Sequence, residues 1–258
     1  MPAATTGGTK GRSTIRLAPM QVPKASDVLA TELRERILSG EFVDNAPLPP
    51  ERELVVQTRM SRTTVREALR ILEVQGFVRI KAGRGGGAFV QRPGEKSVAD
   101  SVGLVIRGQQ IRLAALLETR EAIEPFCAQL AAAHRTDSDL VALGAANDAI
   151  ADAGEDLTAF LQANVDWHVA VASASHNELL TGLMMALSRA IYTATANEGF
   201  VTEDVRGTTL RAHRSVTKAI RDQDPEAAAR RMTRHVHTYA KSVLEYENRT
   251  SIPLGEDA

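Results

Sequence analysis

The chain of 258 residues is poor in several things at once: it has one cysteine, one tryptophan, three tyrosines and six phenylalanines, so aromatics make up 4% of it. A single Cys127 excludes an intramolecular disulfide framework, and its neighbours Phe126 and Ala128 form no redox motif; it reads as core filler. So few rings suit Ala- and Leu-rich helical packing better than a sheet sandwich. No run of about 18 apolar residues marks a membrane span, and no basic, apolar and small-residue succession marks an export signal at the N-terminus. The expected site is cytoplasmic, with no membrane partner. There is also no repeat of fixed period and no heptad seam.

Hydrophobic residues at 43% and charged residues at 24% describe a folded globular chain, and the length favours two domains with separate cores. The net charge of −1 hides an asymmetry. Residues 1–95 carry 15 Lys+Arg against 10 Asp+Glu, leaving 16 against 22 in the remainder. A basic N-terminal part on an acidic remainder is the footprint of a nucleic-acid-binding module attached to something else.

Residues 1–22 lack periodicity and read as a disordered tail, either inert or touching DNA phosphates. Ser26 as N-cap, the apolar spacing of Leu29, Leu33 and Ile37, and Gly40 beyond them predict a helix over about 26–39. Pro50 opens a short second helix, and Ser61 caps a third that stops near Gly76. That third helix presents Val65, Ala68, Leu69 and Leu72 on one face and Arg62, Arg66 and Arg70, with Thr63 beside them, on the adjoining one. Residues 77–81 and 88–91 read as two strands joined by the turn Gly83-Arg84-Gly85-Gly86-Gly87. Because a strand follows that turn and no Gly-Lys-Ser/Thr ends it, a phosphate-binding loop is excluded there.

Three helices and a two-stranded wing are the arrangement that places a recognition helix in the major groove, where Arg62 and Arg66 are the best base-reading candidates. A solvated arginine face is the plainer alternative. The segments Leu48-Pro49-Pro50-Glu51-Arg52-Glu53-Leu54 and Ser61-Arg62-Thr63-Thr64-Val65-Arg66-Glu67-Ala68-Leu69, with the glycine wing, resemble the GntR family of bacterial transcription regulators. The resemblance implies that Arg52, Ser61, Arg62, Thr63, Thr64, Arg66 and Gly83 meet operator DNA, with Arg84 and Lys81 on the wing. Pro50 stands where that family usually has serine, and Ala46-Pro47 where it has glycine plus a charged residue.

Pro93-Gly94 breaks the pattern. Helices are then expected at about 97–107, 112–134, 137–152, 156–174, 177–197, 203–221 and 225–248, the last started by Asp224-Pro225. The fold class is therefore mainly α: a winged helix-turn-helix at 23–92, a linker at 93–97, an all-α antiparallel bundle at 98–248 and a tail at 249–258. Asn164 and His168 share one helix face, and His213 and His235 lie among apolar residues of two further helices, whereas His237 faces out. Inward histidines of this kind are either satisfied core residues or ligands of a divalent transition metal. Arg120, on an apolar helix face one turn before Glu124, either clamps an effector carboxylate or forms an internal ion pair.

Residues 98–246 resemble the FCD effector domain of the FadR subfamily, carried by Leu117-Glu118-Thr119-Arg120 with Glu124, Asn164-Val165-Asp166-Trp167-His168, Ala174-Ser175-His176-Asn177, His213 and His235. This resemblance implies that Asn164, His168, His213 and His235 hold a divalent metal of the zinc or nickel type, and that a small carboxylate effector binds on it. Asparagine replaces the aspartate usual at position 164 and removes one negative charge. A homodimer on a near-palindromic operator, acting as a repressor, is implied by the same resemblance. A metal-free acyl-CoA or other apolar effector is the alternative, and a metalloenzyme the remote one, since no general base accompanies the histidines.

Overall fold

The computed structural model describes residues 22–83, 85–196 and 199–247; Arg84, most of the expected N-terminal tail and the tail at 249–258 lie outside them. The chain divides into two compact units, Met1–Arg92 and Pro93–Ala258.

The first unit contains helices α1 (Ala25–Ser39), α2 (Glu51–Thr58) and α3 (Arg62–Val74), then strands β1 (Val78–Lys81) and β2 (Gly87–Val90). Leu29, Leu33 and Ile37 of α1, Leu54 of α2, and Val65, Leu69 and Leu72 of α3 share one core with Val78 and Val90. Val65 and Leu72 are fully buried, each stabilising the unit by about 1.5–3 kcal/mol. Ser26 does not cap α1: Lys24 occupies that position, and Ser26 is buried inside the first turn. Burial of a small side chain in the packed face outweighed its capping preference. Ser61 caps α3 as expected, its hydroxyl accepting from the Thr64 backbone N–H at 3.1 Å. Between α2 and α3 the chain turns through Arg59, whose φ is 56°.

The two strands pair antiparallel with Val78 opposite Val90 and Lys81 opposite Gly87. Residues 46–48 extend this ribbon: Val90 N–H donates to Ala46 O and Leu48 N–H to Ala88 O, both at 2.8 Å. Ala46-Pro47 thus anchors the wing at its base. At the tip, a Cβ on Gly86 would stand 2.2 Å from the Lys81 carbonyl oxygen, so only glycine closes this turn without distortion.

The second unit is all helical: α4 (Glu95–Gly108), α5 (Leu113–His134), α6 (Asp137–Asp152), α7 (Leu157–Ser173), α8 (Glu178–Thr195), α9 (Glu203–Arg221) and α10 (Pro225–Glu247). Helix α4 begins inside the segment expected as linker and lies close on α8, where a Cβ on Gly182 would stand 2.6 Å from the Glu95 carbonyl oxygen. Helix α5 packs along α10 and also touches α7, α8 and α9, so its middle turns sit at the centre of the bundle. The core around it includes Leu117, Cys127, Leu143, Trp167, Met184, Ile220 and Met232. Among the described residues no helix is long and apolar enough to cross a membrane.

Candidate functional site

Four of the helices contribute to one buried polar cluster. Arg120 and Glu124 come from α5, His168 from α7, His213 from α9 and His235 from α10. All five are buried, His213 completely. His213 Nε2 and His235 Nε2 lie 3.1 Å apart, and His235 Nε2 lies 3.4 Å from His168 Nε2. The three residues offer nitrogens that all lie within 4.8 Å of one another.

Glu124 organises this cluster from below. One of its oxygens meets Arg120 Nε in a short ion pair, and the other lies 2.6 Å from His168 Nδ1. An ionised carboxylate only accepts, so Nδ1 carries the proton and the Nε2 lone pair points at the other imidazoles. Burial alone would raise the Glu124 pKa, but the charges of Arg120 and His168 and their hydrogen bonds outweigh it and hold the carboxyl well below the usual carboxylate range. Arg120 Nη2 is nearly equidistant from His168 Nε2 (2.9 Å) and Nδ1 (3.1 Å), resting against the ring rather than on one nitrogen. The internal ion pair of Arg120 is therefore formed, and the cavity that Arg120 lines with Asn164 and His168 has only about 10 Å³.

Burial also keeps the histidines neutral. It lowers His213 well below the ordinary 6.5, and lowers His235 to about 3, with the charges of His168 and Arg120 adding to the effect. Trp167, fully buried, stacks on His213 with ring centroids 3.6 Å apart and planes 9° from parallel. Its Nε1–H donates to Thr217 Oγ1 at 3.0 Å, which fixes the ring under the histidine.

A metal fits these residues. Metal–imidazole bonds of about 2.0–2.1 Å at angles between about 90° and 109° hold neighbouring nitrogens about 2.9 to 3.4 Å apart, which brackets the two Nε2 separations seen. Neutral imidazoles with converging lone pairs repel unless something positive lies between them, and the carboxylate behind His168 is the usual outer partner of a metal-bound histidine. The expected four-residue set is brought together for its three histidines; Asn164 is buried and lines the adjoining small cavity beside His168. His237 is exposed and pairs with Glu121 at 3.0 Å, as its place on the helix wheel required. The orientation of His168 by Glu124 went unread in the sequence, although a carboxylate one turn from Arg120 on an apolar face was the available signal.

A larger space of about 310 Å³ opens between α9 and α10, with His235 and Tyr239 on its wall. Cys127 lies elsewhere in the core; burial and the Glu124 charge push its thiol up to about 12, so it has no nucleophilic role.

In the first unit, Arg52, Arg62, Thr63, Arg66 and Gly83 are exposed, as is Lys81, and Thr64 is half-buried. The Ser61 and Thr64 hydroxyls meet at 2.8 Å at the start of α3. Arg66 Nε donates to Glu51 at 2.8 Å, tying α3 to the N-terminus of α2 across two solvent-exposed side chains. Arg52, Arg62 and Arg70 have no ion-pair partner among the described residues, leaving a cationic surface beside the α3 N-terminus.

Comparison with known proteins matches both units. Residues 25–90 match the model of the gntR family of bacterial regulatory proteins, and residues 115–238 match the FCD domain. The chain is 33% identical over 213 residues to the galactonate operon transcriptional repressor of Escherichia coli K12, covering 79% of this chain and 90% of that one. It is 27% identical over 239 residues to the transcriptional repressor NanR of Klebsiella aerogenes, with 87% of each chain covered. Among solved structures, the Streptococcus agalactiae GntR superposes with a TM-score of 0.65 at 27% identity, over 84% of this chain and 99% of that one. These relatives are regulators rather than enzymes. With a winged helix carrying an exposed arginine face and a helical domain built around three convergent histidines, the chain belongs to the gntR family of bacterial regulatory proteins and is a DNA-binding transcription regulator with an FCD domain.

Proposed function

We propose that this regulator is a repressor that binds a near-palindromic operator as a homodimer and is released by a small organic acid sensed in the helical unit, at a divalent metal of the zinc or nickel type. The convergence of His168, His213 and His235 on nitrogens 3.1 and 3.4 Å apart carries the reading of the sensor. Those three histidines hold the metal, with Asn164 as the neighbouring polar group, and the metal supplies a positive centre for an acid's carboxylate. Arg62 and Arg66 read base edges, Arg52, Ser61, Thr63 and Thr64 position the protein on phosphates, and the wing follows the backbone through Gly83, Arg84 and Lys81. The names of the E. coli and K. aerogenes relatives, both repressors, support the sign of regulation. Arg120 is committed to Glu124 and His168, so a carboxylate reaches it only when the adjoining cavity opens. An acyl-CoA effector has less support, because three convergent buried histidines suit a metal-bound carboxylate and have no counterpart in an apolar chain.

The test is operator binding by the purified protein, with the operator recovered by selection from random duplexes, before and after addition of nickel or zinc and a panel of small acids. Metal-dependent release by one acid supports the reading. Binding that ignores every metal and acid overturns the sensor half of it.

A further inference from the structure

We infer that Glu51 is a positioning residue for operator recognition: it holds the Arg66 guanidinium by its side, so that both terminal nitrogens face one guanine in the major groove. The inference goes beyond the reading of Arg66 as a base-reading residue and rests on it. Arg62, Arg66 and Arg70 follow one another at four-residue spacing along α3, and all three are exposed. Of the three, Arg66 alone has an ion-pair partner among the described residues: its Nε donates to Glu51 Oε2 at 2.8 Å. Glu51 is the first residue of α2, so the bond reaches from one helix of the helix-turn-helix to the other. The positive end of α2 favours a carboxylate at that place.

Stability does not account for this pair. The two side chains are 66% and 44% exposed, and pairs so open to solvent contribute little. A carboxylate next in sequence to Arg52 and bonded to Arg66 also repels phosphates, so it acts against affinity for DNA of any sequence. A charge with that cost is useful where it sharpens discrimination between sequences.

The discrimination follows from which edge of the guanidinium is taken. Arginine presents its N–H donors as a rigid planar fork. With Nε donating to Glu51, the side edge is occupied, and the end edge remains, formed by Nη1 and Nη2, which have no partner among the described residues. Two parallel donors match a base edge with two acceptors. Guanine alone presents two in the major groove, O6 and N7; adenine sets its N6 donor beside N7, thymine offers one acceptor and cytosine none. An arginine free to turn can meet thymine O4 or a phosphate with a single bond. One held by its Nε has lost that freedom before it meets DNA, and less ordering remains to oppose the two-bonded contact. Arg62 and Arg70, unheld, keep the freedom.

The experiment is fluorescence anisotropy of the full-length protein on the operator recovered by selection, and on a panel in which each base pair is replaced in turn by the other three. The position read by Arg66 is the one whose preference Arg66→Ala flattens, and the inference requires guanine there. We expect Glu51→Ala to reduce the guanine preference at that position by about fivefold or more, within the range that a bidentate contact supplies, while other positions keep theirs. Arg66→Ala and the double variant with Glu51→Ala should give the same profile there, because Glu51 acts through Arg66. Glu53→Ala is the control. Glu53 also lies in the first turn of α2, but it accepts from Gln57 Nε2 at 2.8 Å and pairs with no arginine among the described residues. Its loss removes the same charge and should leave every preference intact. Wild-type guanine preference in Glu51→Ala would overturn the inference. So would an equal loss at every position, which marks a structural role, or tighter binding with preference intact, which marks an inhibitory contact. A base other than guanine at the Arg66 position overturns the inference and leaves Arg66 a reader; no position flattened by Arg66→Ala would overturn both.

Discussion

His213 and His235 face each other through Nε2 atoms 3.1 Å apart inside a bundle that excludes water from His213 altogether. Two neutral imidazoles can share one proton at that distance, but a third nitrogen, on His168, converges at 3.4 Å and no second imidazole proton lies between the three. A cation resolves this imbalance. The protein as purified should contain close to one equivalent of divalent metal by mass spectrometry, and His213→Gln combined with His235→Gln should bring it below a tenth. A ligand bound only by the folded state stabilises it, by about 4 kcal/mol at a thousandfold excess over its dissociation constant; chelation should therefore lower the melting temperature of the wild type and not of the double variant. Unaltered metal content in that variant would assign these residues to the core.

Acidification should act on the metal-free protein through the same histidines. Their folded-state pKa values lie below the ordinary 6.5, His235 at about 3. The unfolded chain therefore binds more protons than the folded one below pH 6.5, and stability falls as pH drops through that window toward 3, approaching about 1.4 kcal/mol per unit for each histidine. Glu124, also lowered, adds a loss in the same direction once pH falls below the ordinary carboxylate range. Melting temperature measured from pH 8 to 5 should be flat down to about 7 and then decline, less steeply in His213→Gln. A flat profile to pH 5 would contradict the neutral buried cluster.

Glu124 compensates Arg120 and orients His168, so removing it should be costly. Glu124→Leu leaves a buried guanidinium uncompensated, for which about 3–5 kcal/mol is the usual loss. The double change Arg120→Leu with Glu124→Leu should be less destabilised than Glu124→Leu alone, since the unpaired charge is gone. Denaturant unfolding decides this, and a double variant worse than the single would show that the pair contributes net stability.

On the DNA side, the Arg66–Glu51 pair is solvent-exposed at 2.8 Å, so losing it should change stability by no more than about 1 kcal/mol. If Arg66 reads a base, Arg66→Ala should weaken specific operator binding by about 10- to 100-fold, as loss of a bidentate contact does. Fluorescence anisotropy on the selected operator is the measurement. Equal affinity of variant and wild type would remove Arg66 from the reading surface.

The wing gives an independent check. A Cβ at Gly86 collides with the Lys81 carbonyl oxygen, so Gly86→Ala must reshape the tip. Because the tip is exposed, the melting temperature should shift little, while affinity for operator and non-operator duplexes should fall together. A variant with normal affinity would place the tip away from the backbone.

Much of the architecture was legible from local signals. Ser61 before Arg62, the Leu29, Leu33 and Ile37 spacing, Gly40 with its φ of 87°, and Asp224 before Pro225 each act within one turn of chain. Where such a signal misled, at Ser26, the packing of α1 had overridden a capping preference worth about 1 kcal/mol. Histidines on apolar helix faces could be recognised individually. Their meeting could not, because their helices are brought together only by burial around α5.

The sequence by itself determined which faces of the described helices are apolar and which residues have the chemistry to meet DNA or a metal, since these follow from spacing and side-chain type. The tertiary structure alone decided that Glu124 would serve Arg120 and His168 at once, that Trp167 would lie under His213, and that a groove would open beside His235 between α9 and α10. Glu124 and His168 stand 44 positions apart in the chain and Trp167 and His213 46, and the groove depends on the gap left between two packed helices; such relations are set by how whole surfaces fit, which no local pattern encodes.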